Sequence, residues 1–442
     1  MTETTGTTGT SRGGIFARRR TRFADTSLSV TEFNDIRLGL LAVRRPDGTA
    51  RLPLHGRDLQ QRYGARLADA DIPVVCFHVR GSARRVTHLD LSSNVITDAG
   101  FLALLEHLLA LPACSVTHLD IASNELTGAS LRHLVKYAET IGLKHLRLAG
   151  NKLGRDAGER LARLLAANDT VAAFDVGDTG LTLAAAAAIA AALRTDGGRN
   201  ASLRALDLGR ILPASRRYPL EAKWLAYHVE LLLQRNDTLT ELHLRSNALS
   251  GPDVEAVVRG LRHNVALQLL DLASNGIGDR GAELLADYLG AGPPLRVLNV
   301  AGNGIRDPGA RALSLALPFS RVRALDVGDN RMTDAGVLDV LTTIKKPYYV
   351  QILRVWGNEV GPRSCTVIER MLRSGVLAAG ALDVRVYGEE GAWRAARCGL
   401  APAAHRACGG LLHHDGPEYG CAQPVYRIRR EAATETPHKS LL

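Results

Sequence analysis

Apolar residues recur along this chain in a short fixed pattern, L-x-x-L-x-L-x-x-N, in which Val or Ile can replace Leu. The segment occurs about ten times, and clear copies are VTHLDLSSN, ending at Asn94, and LQLLDLASN, ending at Asn275. Equivalent positions are about 28 residues apart, with longer steps near Thr179 and Ile211, which replace the asparagine. A fixed period of this length is typical of a solenoid.

Each repeat predicts a strand followed by a helix. The L-x-L alternation predicts a short strand with one buried face, whereas the next stretch, such as FLALLEHLLAL from Phe101, has helical apolar spacing. Neighbouring strands lie about 4.8 Å apart, but packed helices need about 8–10 Å. We therefore predict an α/β solenoid of about ten repeats, a horseshoe with a parallel sheet on its concave side and helices on its convex side.

The repeat pattern also divides the chain. Repeats span residues 86–372, and because the end units would expose apolar cores, we predict caps at residues 23–85 and 373–442, the second including the tail. Residues 1–22 are rich in Gly, Thr and Ser and contain the run Arg18 to Arg20, which predicts a disordered basic arm.

Two polar positions of the repeat have predicted structural roles. The aspartate of the step D-x-G, at Asp98, Asp279, Asp307 and Asp334, should lie just ahead of a helix and accept its free N–H groups. The asparagine that ends each strand should face inward and bond the backbone of neighbouring turns. The predicted asparagine ladder comprises Asn94, Asn124, Asn151, Asn247, Asn275, Asn303, Asn330 and Asn358.

Residues between the apolar positions of each strand point away from the core and form columns along the concave face. The column between the last two apolar positions has an aspartate in six repeats, which predicts a partly acidic strip. Such a strip counts against nucleic acid binding there. We predict that its aspartates contact a protein partner: Asp90, Asp120, Asp175, Asp207, Asp271 and Asp326.

A second column, two residues earlier, starts polar and becomes apolar. Trp356 is predicted to face inward near its apolar end, and an exposed aromatic among apolar residues is typical of an interaction anchor. The alternative is that the C-terminal tail folds back over these residues as a cap. Predicted partner-binding residues here are His88, His118, His145, Leu269, Val297, Ile352, Arg354 and Trp356.

Motifs that carry chemistry are missing from the sequence. The three histidines should stand parallel on their strands, whereas zinc needs converging ligands. A tail cluster lacks the C-x-x-C pairs typical of zinc sites, which favours an ordinary capping segment: Cys398, His405, Cys408, His413, His414 and Cys421. No phosphate-binding G-x-x-x-x-G-K-[ST] motif and no H-E-x-x-H motif occurs. We expect no catalytic residue, no cofactor and no metal.

Composition narrows the class of protein further. With 46% apolar and 23% charged residues the chain is globular, and no stretch reaches the ~18 apolar residues of a membrane span, so we expect no membrane partner. Six scattered cysteines favour reduced thiols inside the cell. The net charge of +10 permits weak attraction to acidic surfaces.

The run Leu-Asp-Leu-x-x-Asn, repeated over residues 86–372, resembles the ribonuclease-inhibitor-like leucine-rich repeats. This resemblance implies a non-catalytic protein-binding scaffold in a large assembly. Related repeat proteins occur in motile cilia, including the dynein regulatory complex and the radial spokes, which implies a cytoskeletal, axonemal location. The alternatives are a regulator of a small GTPase or nuclease, and a nuclear or nucleolar adaptor.

Overall fold

The computed structural model describes residues 34–194, 200–211, 219–344, 350–389 and 391–401, together with 404, 410 and 412. Its main element is a sheet of 12 strands that lie side by side in chain order. The first pair is antiparallel and every later pair is parallel. The strands are β1 (Val43–Arg44), β2 (Ala50–Pro53), β3 (Val86–Asp90), β4 (His118–Asp120), β5 (His145–Arg147), β6 (Ala173–Asp175), β7 (Ala205–Asp207), β8 (Glu241–His243), β9 (Leu269–Asp271), β10 (Val297–Asn299), β11 (Ala324–Asp326) and β12 (Ile352–Arg354).

A helix follows each parallel strand, which confirms the predicted α/β solenoid. Successive helices pack against each other on the other side of the sheet. None of the described helices is long and apolar enough to cross a lipid bilayer. The helices are α1 (Asp35–Leu41), α2 (Gly56–Tyr63), α3 (Ile72–Gly81), α4 (Asp98–Leu104), α5 (Gly128–Lys136), α6 (Ala157–Ala167), α7 (Leu183–Ala192), α8 (Pro219–Arg235), α9 (Gly251–His263), α10 (Gly278–Gly290), α11 (Asp307–Ala316), α12 (Asp334–Thr343) and α13 (Pro362–Arg373).

One apolar core runs the length of the solenoid between sheet and helices. Its rows are built by register, because Leu89 pairs with Leu119 and Leu119 pairs with Leu146 on adjacent strands. These leucines are at most 1% exposed. Each repeat therefore buries its apolar face only against its neighbours, as expected for a stacked repeat protein.

The strand-ending asparagines tie successive repeats together. Asn247 is fully buried, and its Nδ2 donates to the carbonyl oxygens of Leu208 (2.8 Å) and Leu244 (3.2 Å), which belong to two repeats. Its Oδ1 accepts from the backbone N–H of Ile211 at 3.0 Å. One amide thus satisfies backbone groups that the turn would otherwise leave unpaired. The same pattern holds at Asn94, Asn124, Asn151, Asn275, Asn303, Asn330 and Asn358.

A second asparagine ladder, which was not predicted from the sequence, lies where four successive helices return to the strands β6 to β9. Asn264 is representative: its Nδ2 donates to the carbonyls of Leu233 (2.9 Å) and Asn236 (2.7 Å), and its Oδ1 accepts from the N–H of Leu267 (2.8 Å). The available signal was the pattern N-x-x-[LV], which recurs just before these four strands. The members are Asn168, Asn200, Asn236 and Asn264.

The aspartates of the D-x-G step do not cap the helices that were predicted for them. Asp98 is the first residue of α4, yet its Oδ1 accepts from the N–H groups of Thr127 (2.9 Å) and Ser130 (3.0 Å) at the start of α5. The same shift to the next repeat occurs at Asp279, Asp307 and Asp334. The prediction was wrong because stacking brings the next helix start within reach of the carboxylate.

The two ends of the solenoid are built differently. Strands β1 and β2 belong to the main sheet although they lie within the predicted cap of residues 23–85. At the other end, a two-stranded antiparallel hairpin, β13 (Val384–Glu389) and β14 (Ala392–Arg397), follows α13. The predicted basic arm of residues 1–22 lies outside the described residues.

Replacing Asn247 by Ala should lower the free energy of unfolding by about 2–4 kcal/mol, because buried carbonyl and N–H groups of two repeats lose their partner. The matched control is Thr179→Ala, at the equivalent turn, where a buried Oγ1 donates only within its repeat, to the carbonyl of Val176 at 2.6 Å. That loss should be about 1 kcal/mol. Urea denaturation followed by circular dichroism measures both, and equal losses would contradict a cross-repeat role for Asn247.

Candidate functional site: the concave face

The concave face carries the first and third residues of each short strand, because side chains alternate along a strand. In β4, for example, Leu119 enters the core while His118 and Asp120 lie on the concave side. Neighbouring strands pair in register, so the two predicted columns are real rows of side chains. Register joins Ala173, Ala205 and Glu241 in the same way.

The three histidines of the first row form a stack. The ring centroids of His88 and His118 are 3.8 Å apart with an interplanar angle of 16°, and those of His118 and His145 are 4.0 Å apart at 30°. Thr87 Oγ1 lies 2.9 Å from His88 Nδ1, which helps to fix the ring orientation. His88 is buried, whereas His118 and His145 are half-buried and form part of the accessible concave surface.

Each aspartate of the second row accepts a hydrogen bond from the backbone N–H two residues later in the chain. Asp207 is representative, because its Oδ1 accepts from the N–H of Gly209 at 2.6 Å, where the chain leaves the strand. Turns in which an aspartate carboxylate accepts the N–H two residues further along the chain are common. The other five aspartates make the same contact with the residue two positions later: Asp90, Asp120, Asp175, Asp271 and Asp326.

The second carboxylate oxygen of each aspartate faces a basic side chain. Arg147 lies between two aspartates, with Nη1 at 2.8 Å from Asp120 Oδ2 and Nε at 3.1 Å from Asp175 Oδ2. Arg245 Nη2 is 2.7 Å from Asp207 Oδ2. The remaining pairs are Arg51 with Asp90, His243 with Asp271 and Arg354 with Asp326.

The concave strip is therefore not the exposed acidic surface that its composition suggests. Asp175 and Asp207 are fully buried, and Asp90 and Asp271 are 5% and 6% exposed. Burial without a partner would cost several kcal/mol per charge, so the basic residues in the same rows are needed. At Asp326, burial outweighs the nearby Arg354 and raises the pKa of the carboxyl to about 6.

A buried cluster of charges lies at the centre of the sheet. His243 Nε2 is 2.7 Å from Glu241 Oε1, and its Nδ1 is 3.1 Å from Asp271 Oδ2. Burial alone would lower the pKa of His243, but the hydrogen bonds to Asp271 and Glu241 raise it to about 10. The ring is thus an imidazolium at neutral pH. This cluster was not predicted from the sequence, although a basic residue between aspartates in one column was a usable signal.

The predicted apolar anchors lie largely under the C-terminal segment. Ile352 is only 8% exposed and packs with Ala324 and Ala381, and half-buried Val297, Leu400 and Ala404 join this cluster. At Ile352 and Val297, the C-terminal segment thus folds back over the concave face, which is the alternative that the sequence left open. Their role in binding a partner stays a prediction.

The other two predicted apolar residues are also partly or fully covered. Leu269 is 5% exposed, and Trp356 is half-buried against the main core. The backbone N–H of Trp356 donates to both carboxylate oxygens of Asp383, each at 3.3 Å. The backbone at Trp356 is therefore bound to the C-terminal cap, and the role of its half-buried side chain in binding a partner stays a prediction.

The C-terminal segment reaches the middle of the same face. Leu412 is 4% exposed and forms a separate apolar cluster with Ala173 and Ala205. Its backbone N–H donates to Glu241 Oε1 at 3.3 Å. Leu400 and Ala404 thus lie near β12, and Leu412 lies on β6 and β7.

Among the described residues, no group of three or more His, Cys, Asp or Glu side chains is placed so that it could hold a metal ion. Of the tail cluster, only Cys398 is described; its Sγ donates to the carbonyl of Leu382 at 3.3 Å. His405, Cys408, His413, His414 and Cys421 lie outside the described residues.

The charge on His243 predicts a pH-dependent stability. Its folded pKa of about 10 exceeds the unfolded value of about 6.5, so its stabilising contribution is complete below pH 6.5 and is lost as pH rises towards 10. The difference in free energy of unfolding between wild type and His243→Gln should shrink by about 1.4 kcal/mol per pH unit between pH 6.5 and 9. Urea denaturation at several pH values measures it. His263→Gln, on an exposed part of α9, is the control, and a constant difference for His243→Gln would refute the assignment.

Comparison with known proteins agrees with this architecture. Five segments match the model of the Leucine Rich repeat family, at residues 84–105, 235–258, 263–286, 293–314 and 322–340. A search of curated proteins finds no match.

Two solved structures show the extent of structural likeness. In the mouse RP105/MD-1 complex, the similar chain is 17% identical with a TM-score of 0.36, over 64% of this chain and 41% of that one. An internalin from Listeria monocytogenes is 15% identical with a TM-score of 0.36, over 79% of this chain and 83% of that one. The matched segments show that the chain contains leucine-rich repeats, and the 12-stranded sheet with one strand and one helix in each repeat is the α/β solenoid that such repeats build.

Proposed function

We propose that this protein is a non-catalytic scaffold whose concave face binds a segment of a partner protein. The observation that carries the proposal is that this face already holds polypeptide, because Leu412 packs on Ala173 and Ala205 there. A surface that buries an apolar side chain and accepts a backbone N–H has the two properties that peptide recognition requires.

The concave side chains are held in place before any partner arrives. Arg147 is fixed between Asp120 and Asp175, and each carboxylate is also fixed by a backbone N–H. Little side-chain entropy remains to be lost on binding, which favours affinity and specificity. The half-buried stack of His118 and His145 offers a polar stretch of this prearranged surface.

Protein is favoured over nucleic acid as the partner. The carboxylates of the strip are paired with basic residues, so the arginines on this face are already engaged. Nucleic acid binding depends on cations that are available to phosphates. A mixed, internally paired surface fits the mixed polar and apolar groups of a polypeptide better.

We further propose that the repeats are of the ribonuclease-inhibitor type and that the scaffold belongs to a large cytoskeletal assembly such as the axoneme of motile cilia. The repeat length of about 28 residues supports the first point. Short matches, including Val355-Trp356-Gly357-Asn358, resemble leucine-rich repeat-containing protein thirty-four. Repeat proteins of this type occur in radial spokes and the dynein regulatory complex, which supports the second point.

Proximity labelling from a tagged copy in its own cell, with imaging of the tag, tests both proposals. We expect labelled axonemal neighbours and a flagellar signal, whereas a nucleolar signal with RNA-processing neighbours would contradict the axonemal proposal.

His118→Glu should reduce labelling of direct partners at least about tenfold, equivalent to about 1.4 kcal/mol, because it adds a charge at the centre of the histidine stack. His263→Glu, exposed on the convex helix α9, is the matched control. Unchanged labelling by a folded His118→Glu protein would contradict the concave site.

A further inference from the structure

The concave row of residues contains a depression that is two strands wide. Ala173 and Ala205 lie side by side in register, between His145 on one side and Glu241 on the other. Two methyl groups between an imidazole and a carboxylate leave space for one apolar side chain. Leu412 fills that space, and the three residues are 0%, 0% and 4% exposed.

The walls of the depression also recognise backbone. Glu241 Oε1 accepts the N–H of Leu412 at 3.3 Å while it holds His243 Nε2 at 2.7 Å. Gly410 lies against the same carboxylate with φ near +60°, and a Cβ there would lie 2.2 Å from Glu241 Oε2. The site therefore selects a glycine two residues before a leucine, for both space and backbone conformation.

A second contact fixes the segment nearer its start. Leu400 and Ala404 pack against the cluster of Ala324 and Ile352, and the N–H of Ala401 donates to the carbonyl of Gly380 at 2.7 Å. Because this contact anchors the segment, it keeps Leu412 close to the depression formed by Ala173 and Ala205. A tethered ligand has an effective concentration of about millimolar, and a free ligand must compete with it.

We propose that the seat formed by Ala173, Ala205 and Glu241 is a docking site for a Gly-x-Leu peptide, and that Gly410 and Leu412 of this chain occupy it in cis. The inference rests on the proposed protein-binding function and adds its regulation. A partner peptide that reaches this seat must displace the chain's own leucine.

The test uses the full chain and a fluorescent peptide of residues 400–416, with Cys408→Ser, followed by fluorescence anisotropy. Leu412→Asp in the protein should release the segment, because it places a carboxylate beside Glu241 and in an apolar seat. We expect this variant to bind the peptide at least about tenfold more tightly than wild type. Leu315→Asp, at a leucine that is 63% exposed on α11, is the matched control and should bind like wild type. A peptide that itself carries Leu412→Asp should not bind.

Hydrogen exchange of the amide of Leu412 provides a readout that is independent of any partner. It should be protected in wild type and in Leu315→Asp, and exposed in Leu412→Asp, while thermal unfolding shows that all three proteins are folded. Equal peptide binding by wild type and Leu412→Asp, or no binding by either, would overturn the proposal. Peptide binding to Leu412→Asp together with unchanged partner labelling by His118→Glu would support this seat while contradicting the wider function.

Discussion

The structure depends on one hydrogen-bonding arrangement, the asparagine amide at the turn after eight of the repeat strands. A parallel solenoid must turn sharply after every short strand, and each turn exposes backbone groups that have no strand partner. Asn247 shows the solution, because its amide bonds carbonyls of two repeats and an N–H of the preceding one. The second ladder, represented by Asn264, does the same at the opposite turn. Stacking therefore satisfies polar groups as well as burying leucines.

The concave face follows from this stacking. Once strands are in register, equivalent side chains stand in rows, and like charges would repel along a row. The chain avoids this by giving each aspartate a backbone N–H and a basic neighbour, as Arg147 does for Asp120 and Asp175. Burial then makes each pair sensitive to the loss of one member. The same constraint yields a rigid surface, which suits recognition of another polypeptide.

The C-terminal segment gives the concave face two different parts. The stretch around His118 and His145 remains half-buried, whereas Ile352 packs against Leu400 and Ala404, and Ala205 packs against Leu412. Contact between Leu412 and Glu241 links positions that are 171 residues apart. A partner of a solenoid whose concave face holds a tethered segment must displace that segment, whereas a partner of an open solenoid need not. The repeats of the two solenoids are nevertheless of the same kind.

The sequence by itself determined the repeat, the order of strand and helix, the parallel sheet and the residues that face inward. All of these follow from local periodicity, because apolar spacing decides which side of each element is buried. Only the tertiary structure decided which groups pair across repeats. Asp98 caps α5 and not α4, because stacking sets its nearest free N–H groups. Likewise, the cover over Ile352 and the seat of Leu412 depend on contacts between distant segments, and such contacts leave no periodic signal in the sequence.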